Sequence, residues 1–165
     1  MTRAVNEVAP GDGEAIWFNQ ALMRVKCAGA WSRDAFSLVE VAMTRGRATG
    51  LHTDPSDETF YVLEGELLFH VDGEDRRSVA AGGTLGVRAG VAHAFMAVSE
   101  LARFLVLNTS GTHDGFFRDG GFPAHSDAFA DAPPPDLERT AASASRHGVR
   151  LLGPAPFEDV RIQSG

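Results

Sequence analysis

One short stretch of the chain carries three side chains that could do chemistry together. His52, Asp54 and Glu58 stand at even spacings of two and four residues, so on extended backbone they point to the same side. Phe60 shares that side and is expected to face the interior. Buried ionisable groups are costly unless they are paired or bound to a metal, so this alternation favours a functional site.

A fourth candidate, His93, lies on a later predicted strand after a glycine turn, with Phe95 at the same parity. Two imidazoles together with carboxylate oxygens suit divalent iron, manganese, cobalt, nickel or zinc. A single histidine on an apolar face would more often be a hydrogen-bonded core residue. Four such groups on inward faces make a metal site the better interpretation.

The elements that must position these groups are short strands separated by glycine turns, which run from Ala15 to about Asn108. The clearest strand signal is 59–63, which is rich in residues that favour strands. Asp72-Gly73 between two apolar runs indicates a hairpin. Many short strands at this spacing predict a sandwich or a barrel, and therefore an all-β fold.

The last third of the chain has a different character. Residues 119–136 are rich in Gly, Pro, Ala and Asp and are expected to form a loop. A helix is predicted over 137–147, with Asp136 as its N-cap and Gly148 at a left-handed C-cap. A final strand is expected over 149–152.

Composition limits the function classes. The 165 residues predict one domain, and 44% hydrophobic and 22% charged residues are ordinary for a globular protein. The net charge of −7 argues against binding to nucleic acid or to an anionic membrane surface. No signal-peptide pattern precedes the strands, so we expect a cytoplasmic protein. The single cysteine, Cys27, excludes an internal disulfide and a multi-cysteine zinc site.

The candidates stand in two spaced motifs. The first reads Gly46, five residues, His52-Thr53-Asp54, three residues, Glu58, six residues, Gly65. The second reads Gly82, five residues, Arg88-Ala89-Gly90, two residues, His93, three residues, Ala97. With this spacing the chain resembles the cupin superfamily, and in particular small bacterial single-domain cupins described as quercetin-dioxygenase-like.

The resemblance implies a fold. It is a single-domain cupin barrel, a double-stranded β-helix or jelly roll, within one domain of residues 1–165. The barrel core would occupy about 35–108. The loop, helix and strand of about 112–153 would form a short helical C-terminal appendage.

The resemblance also implies a metal site. Cupins hold a metal between three histidines and a glutamate, which correspond by position to His52, Glu58 and His93, with Asp54 at the place of the second histidine. If Asp54 coordinates, two histidines and two carboxylates favour Fe(II) or Mn(II), with Ni, Co or Zn as further candidates. If Asp54 falls short, the other three leave open positions for oxygen and substrate. If the metal is lost, Asp54 could orient an imidazole, and Glu58 or a histidine could act as an acid or base.

Two departures from the family pattern lie near the site. Arg88 replaces a proline and is either a solvated surface residue or an anion-binding arm over the pocket. Ala97 replaces an asparagine, which would make the pocket more apolar. The remaining histidines of the loop and helix regions, His113, His125 and His147, are expected to be exposed.

Four apolar residues are candidates for a substrate pocket. Phe60, Phe95, Phe104 and Met43 either line a pocket for an aromatic or polyketide-like molecule or simply pack in the core. The core role is the more common one for such residues.

The leading functional prediction is a metal-dependent oxidoreductase of the Fe(II) or Mn(II) dioxygenase type, acting on a small organic substrate, with Glu58 and Asp54 as catalytic residues. The alternatives are a metal-free cupin that catalyses cyclisation, isomerisation or dehydration by acid–base chemistry, and a non-catalytic barrel that binds a small molecule. A homodimer is expected, because exposed edge strands are usually covered.

Overall fold

The computed structural model describes residues 4–160. In chain order the strands and helices are β1 (Glu14–Phe18), β2 (Ala21–Cys27), α1 (Gly29–Ser32), β3 (Ser37–Thr44), β4 (Leu51–Thr53), β5 (Glu58–Glu64), β6 (Glu66–Val71), β7 (Arg77–Ala80), β8 (Thr84–Val87), β9 (His93–Ala97), β10 (Leu101–Asn108), α2 (His113–Gly120), β11 (Phe122–Pro123), α3 (Leu137–His147) and β12 (Arg150–Gly153). A short 3₁₀ helix spans Phe129–Asp131.

The strands form two antiparallel sheets with the main hydrophobic core between them. One sheet has the order β11-β1-β2-β3-β10-β5-β8, and the other has the order β12-β4-β9-β6-β7. Alternation builds the core: along β3 the inner residues Val39, Val41 and Met43 are at most 4% exposed, while their neighbours are more exposed. The predicted all-β barrel with a small helical part is confirmed.

Among residues 4–160, three strands outside residues 35–108 belong to the longer sheet. Strands β1 and β2 and the short β11 enlarge the longer sheet, because their apolar residues also bury a face. Phe18 of β1 packs edge-on against Phe116 and Phe117 of α2, with ring centroids 5.0 and 5.2 Å apart. The helical appendage is thereby joined to the barrel.

The turn at the end of the first motif requires glycine. Gly65 has a φ of 74°, and a Cβ atom there would lie 2.1 Å from the carbonyl oxygen of Leu101. Only glycine adopts this conformation readily and leaves room for the neighbouring backbone. The turn therefore allows β5 to be followed directly by β6, which lies in the other sheet.

The C-terminal elements follow the sequence signals. The Asp136 side chain accepts a hydrogen bond from the Arg139 amide at 2.9 Å, and Gly148 has a φ of 74° at the end of α3. Strand β12 then pairs with β4, where Leu151 lies opposite His52. No helix among residues 4–160 is long and apolar enough to cross a membrane.

Candidate metal centre

Strands of both sheets bring the predicted ligands together. His52 on β4 lies directly opposite His93 on β9, and their rings are 4.4 Å apart. Glu58 begins β5 in the other sheet, and its Oε2 lies 2.7 Å from His93 Nε2. Asp54 follows β4, with Oδ2 4.0 Å from His52 Nε2. The structure thus places all four predicted residues in one cluster.

Backbone carbonyls orient the two barrel imidazoles. His52 Nδ1 lies 2.8 Å from the Gly50 carbonyl oxygen, and His93 Nδ1 lies 3.0 Å from that of Val91. An N–H at Nδ1 donates to these carbonyls, so each Nε2 points to the cluster. Metal-binding histidines are commonly held in this way.

Several buried atoms of the cluster face one another without an aligned hydrogen bond. Glu58 Oε2 lies 2.7 Å from His93 Nε2 and Asp54 Oδ1 lies 2.9 Å from His113 Nδ1, while Asp54 Oδ2 has no hydrogen-bond partner among residues 4–160. Each of these residues is at most 5% exposed. Buried polar atoms without a partner are rare in native proteins, and an ion between converging lone pairs would satisfy these. His52, Glu58 and His93 each offer a ligand atom within 4.8 Å of the others, so the donor set fits a divalent metal.

A fifth side chain enters the cluster from α2. His113 was expected to be exposed, and this expectation is wrong: the residue is 5% exposed, with Nδ1 2.9 Å from Asp54 Oδ1. It forms a second possible ligand set with Asp54 and Glu58. His113 is the first residue of α2. The spacing of His113 with Phe116 and Phe117 on one helical face could have indicated its burial.

The other two histidines of this region have different surroundings. His125 is exposed, as expected. His147 is only partly exposed, because it lies at the end of α3 with Nε2 2.8 Å from Asp119 Oδ2. Neither belongs to the metal-ligand sets found within residues 4–160.

Asn108 is a further residue of the site that sequence reasoning missed. It lies opposite Glu58 on β10, is fully buried, and donates a hydrogen bond from Nδ2 to Glu58 Oε1 at 3.1 Å. The signal was available, because Asn108 shares its parity with the apolar core residues Phe104 and Val106. The amide leaves Oε2 of Glu58 as the oxygen that faces His93.

Proximity sets the charges of the cluster. Burial acts to raise the pKa of Glu58, but the His93 contact and the nearby positive charges of His113, His93 and His52 lower it to about 2. Burial, together with His93, lowers the pKa of His52. Burial also acts to lower the pKa of His93 and His113, but their carboxylate partners outweigh it and raise both. Glu58 is therefore anionic at any physiological pH, as a metal ligand must be.

Solvent reaches the cluster on the side of His52. Its side chain is 14% exposed, while those of Asp54, Glu58, His93 and His113 are at most 6% exposed. A substrate would approach from this side.

The two residues that depart from the family motifs differ in exposure. Arg88 is exposed, as the surface interpretation expects, and Ala97 is fully buried.

The four residues proposed to line a pocket lie in the core. Met43, Phe60, Phe95 and Phe104 are at most 8% exposed, and Phe60 packs against both Phe95 and Phe104. Phe60 also approaches His93, with ring centroids 6.4 Å apart. These contacts favour the packing role, and contact with substrate stays a prediction.

We expect Asn108→Ala to lower the free energy of unfolding by about 1–3 kcal/mol, because the buried Glu58 Oε1 loses its donor. Chemical denaturation of the two proteins measures the difference. The control is Asn6→Ala, where the lost amide donates to the Lys26 carbonyl at an exposed position. Water can replace that bond, so the free energy of unfolding should stay within about 0.5 kcal/mol of wild type. Equal effects of the two substitutions would contradict the role of Asn108.

Comparison with known proteins agrees with this geometry. Residues 39–108 match the family model described as a cupin domain, and no curated protein matches the chain.

Among solved structures, the RmlC-like cupin from Shewanella frigidimarina is 17% identical, with a TM-score of 0.59 over 70% of this chain and 99% of that one. The polyketide cyclase RemF from Streptomyces resistomycificus is 22% identical, with a TM-score of 0.55 over 63% and 78%. The DMSP lyase DddQ from Ruegeria pomeroyi is 26% identical, with a TM-score of 0.44, and the match covers 46% of this chain but only 39% of the lyase. The match over residues 39–108, together with the two motifs and the barrel, supports a member of the cupin superfamily.

Proposed function

We propose that the protein is a metal-dependent enzyme that acts on a small organic molecule, with His52, Glu58 and His93 as ligands of Fe(II) or Mn(II). The observation that supports this most strongly is the convergence of His52, Glu58 and His93, whose possible ligand atoms lie within 4.8 Å of one another. Carboxylate and imidazole donors together suit these ions. The proximity of Asp54 adds a second negative charge that favours a divalent cation.

When bound, the metal would supply Lewis-acid or redox chemistry at the substrate. The chain contributes the surroundings of that chemistry. Glu58, whose pKa is about 2, holds a permanent negative charge opposite His93. His52 forms the solvent-facing side of the site, and the aromatic ring of Phe60 lies beneath His93.

The leading reaction is of the dioxygenase type on an aromatic or polyketide-like substrate. Two histidines and one carboxylate leave open positions where dioxygen and substrate can meet. The apolar ring of Phe60 lies next to His93, and an apolar neighbour suits a substrate with little charge.

A second candidate is acid–base chemistry, such as cyclisation, isomerisation or dehydration. Two imidazole–carboxylate contacts favour it, His93 with Glu58 at 2.7 Å and His113 with Asp54 at 2.9 Å. A general base works best with a pKa near the working pH, so the pKa of about 2 makes Glu58 a weak base. The histidines are better suited to move a proton, and Asp54 to hold one of them in place. A third reading, a barrel that binds a small molecule without turnover, is distinguished by measuring product.

We expect purified wild-type protein to bind Mn(II) or Fe(II) and to unfold at a higher temperature when either is added, since a ligand of the folded state stabilises it. His93→Ala should weaken binding by at least about 10-fold and remove the thermal shift. His125→Ala, which removes an exposed imidazole, is the matched control. Metal content that is equal in wild type and His93→Ala would refute the metal centre.

Oxygen consumption tests the reaction type. Iron-loaded protein with a panel of aromatic diols and flavonols should consume dioxygen together with the substrate, and His93→Ala should consume none. Conversion that proceeds equally without oxygen would assign the protein to acid–base chemistry. A panel that binds without conversion would favour the non-catalytic reading.

A homodimer is also part of the proposal. Tyr61, Leu63 and Leu107 are 37–43% exposed and share the outer face of β5 and β10. Light scattering should give twice the mass of the 17.6 kDa chain. Leu63→Arg should yield a monomer if this face is the interface, while a wild-type monomer would contradict the dimer itself.

A further inference from the structure

The cluster contains an imidazole beside the motif position that lacks one. Asp54 stands where the family motif has its second histidine, and its shorter side chain reaches less far into the barrel. Next to it lies His113, with Nδ1 2.9 Å from Asp54 Oδ1 and Nε2 3.9 Å from Glu58 Oε1. The ring therefore lies between the two carboxylates.

The three histidines of the cluster share one arrangement. Each has Nδ1 beside an oxygen acceptor: the Gly50 carbonyl for His52, the Val91 carbonyl for His93, and Asp54 for His113. Each has Nε2 within 4.0 Å of a carboxylate oxygen of the cluster. An acceptor at Nδ1 with Nε2 left free is the usual arrangement of a metal-binding histidine.

The position of His113 is held by packing and by charge. Its ring contacts Phe116 and Phe117, with centroids 5.4 and 4.7 Å away. Arg118, one turn further along α2, forms ion pairs with Asp114 and with Glu14 at the start of β1. The first turn of α2 is thus fixed against the barrel, which makes His113 a built part of the site.

We propose that His113 supplies, through Nε2, the imidazole that position 54 lacks, and that Asp54 acts as its orienting carboxylate. This inference rests on the metal centre proposed above. The structure groups His113 with Asp54 and Glu58, and Glu58 also belongs to the set of His52 and His93. The proposal joins these two sets through Glu58 into three imidazoles and one carboxylate, with one imidazole delivered by α2 instead of a barrel strand. Metal binding then also fastens the helical appendage to the barrel.

The test is Mn(II) titration of matched variants. His113→Asn keeps an amide N–H near the position of Nδ1, so the contact with Asp54 is retained while Nε2 is lost. We expect its Mn(II) affinity to fall at least about 10-fold, with thermal unfolding of the metal-free protein close to wild type. His147→Asn makes the same change on α3, outside the cluster, and should bind as wild type.

A double variant tests the replacement directly. Asp54→His returns an imidazole to the motif position, so Asp54→His combined with His113→Asn should recover affinity to within a few-fold of wild type. Pulsed electron paramagnetic resonance of Cu(II)-loaded protein counts coordinated imidazoles. We expect three in wild type, two in His113→Asn and three in the double variant.

The outcomes separate the two proposals. If His113→Asn binds Mn(II) as wild type while His93→Ala does not, the metal centre stands and the role of His113 is refuted. If neither substitution changes binding, the proposed function fails as well. Should His113→Asn not fold, the imidazole count of wild type decides, and a count of two overturns the inference.

Discussion

The structure depends on the buried contact between Glu58 and His93. A carboxylate and an imidazole at most 4% exposed would be costly without partners. Glu58 begins a strand of one sheet and His93 a strand of the other, so the contact joins the two sheets across the core. Asn108 holds the second oxygen of Glu58. The candidate metal centre and one polar contact between the two sheets therefore share the same few atoms.

Local sequence patterns were sufficient to predict much of the fold and the site. Alternation of period two placed His52, Glu58 and Phe60 on one side, because strand geometry fixes that direction whatever the rest of the fold does. The cap residues Asp136 and Gly148 placed α3 at its observed bounds, because capping also acts within a few residues. The motif spacing predicted the barrel, because it resembles the spacing of the cupin motifs.

Contacts between distant segments explain what the sequence prediction missed. His113 enters the cluster because Phe116 and Phe117 pack on Phe18, which lies about a hundred residues earlier in the chain. No local pattern encodes that meeting. Asn108 was different: its parity indicated an inward side chain, but its hydrogen bond depends on the register between β10 and β5.

The neighbours of strand β4 show which parts of the chain support His52. The strand is three residues long and lies between β9 and β12, with Leu151 of β12 opposite His52. The segment 39–108 that matches the family model contains β4 and β9 but not β12. Cut out alone, that segment would leave His52 on an unsupported sheet edge. The set of strands that supports the site is thus larger than the segment that matches the family model, and a barrel shortened to that segment would lose the support of β12 beside His52.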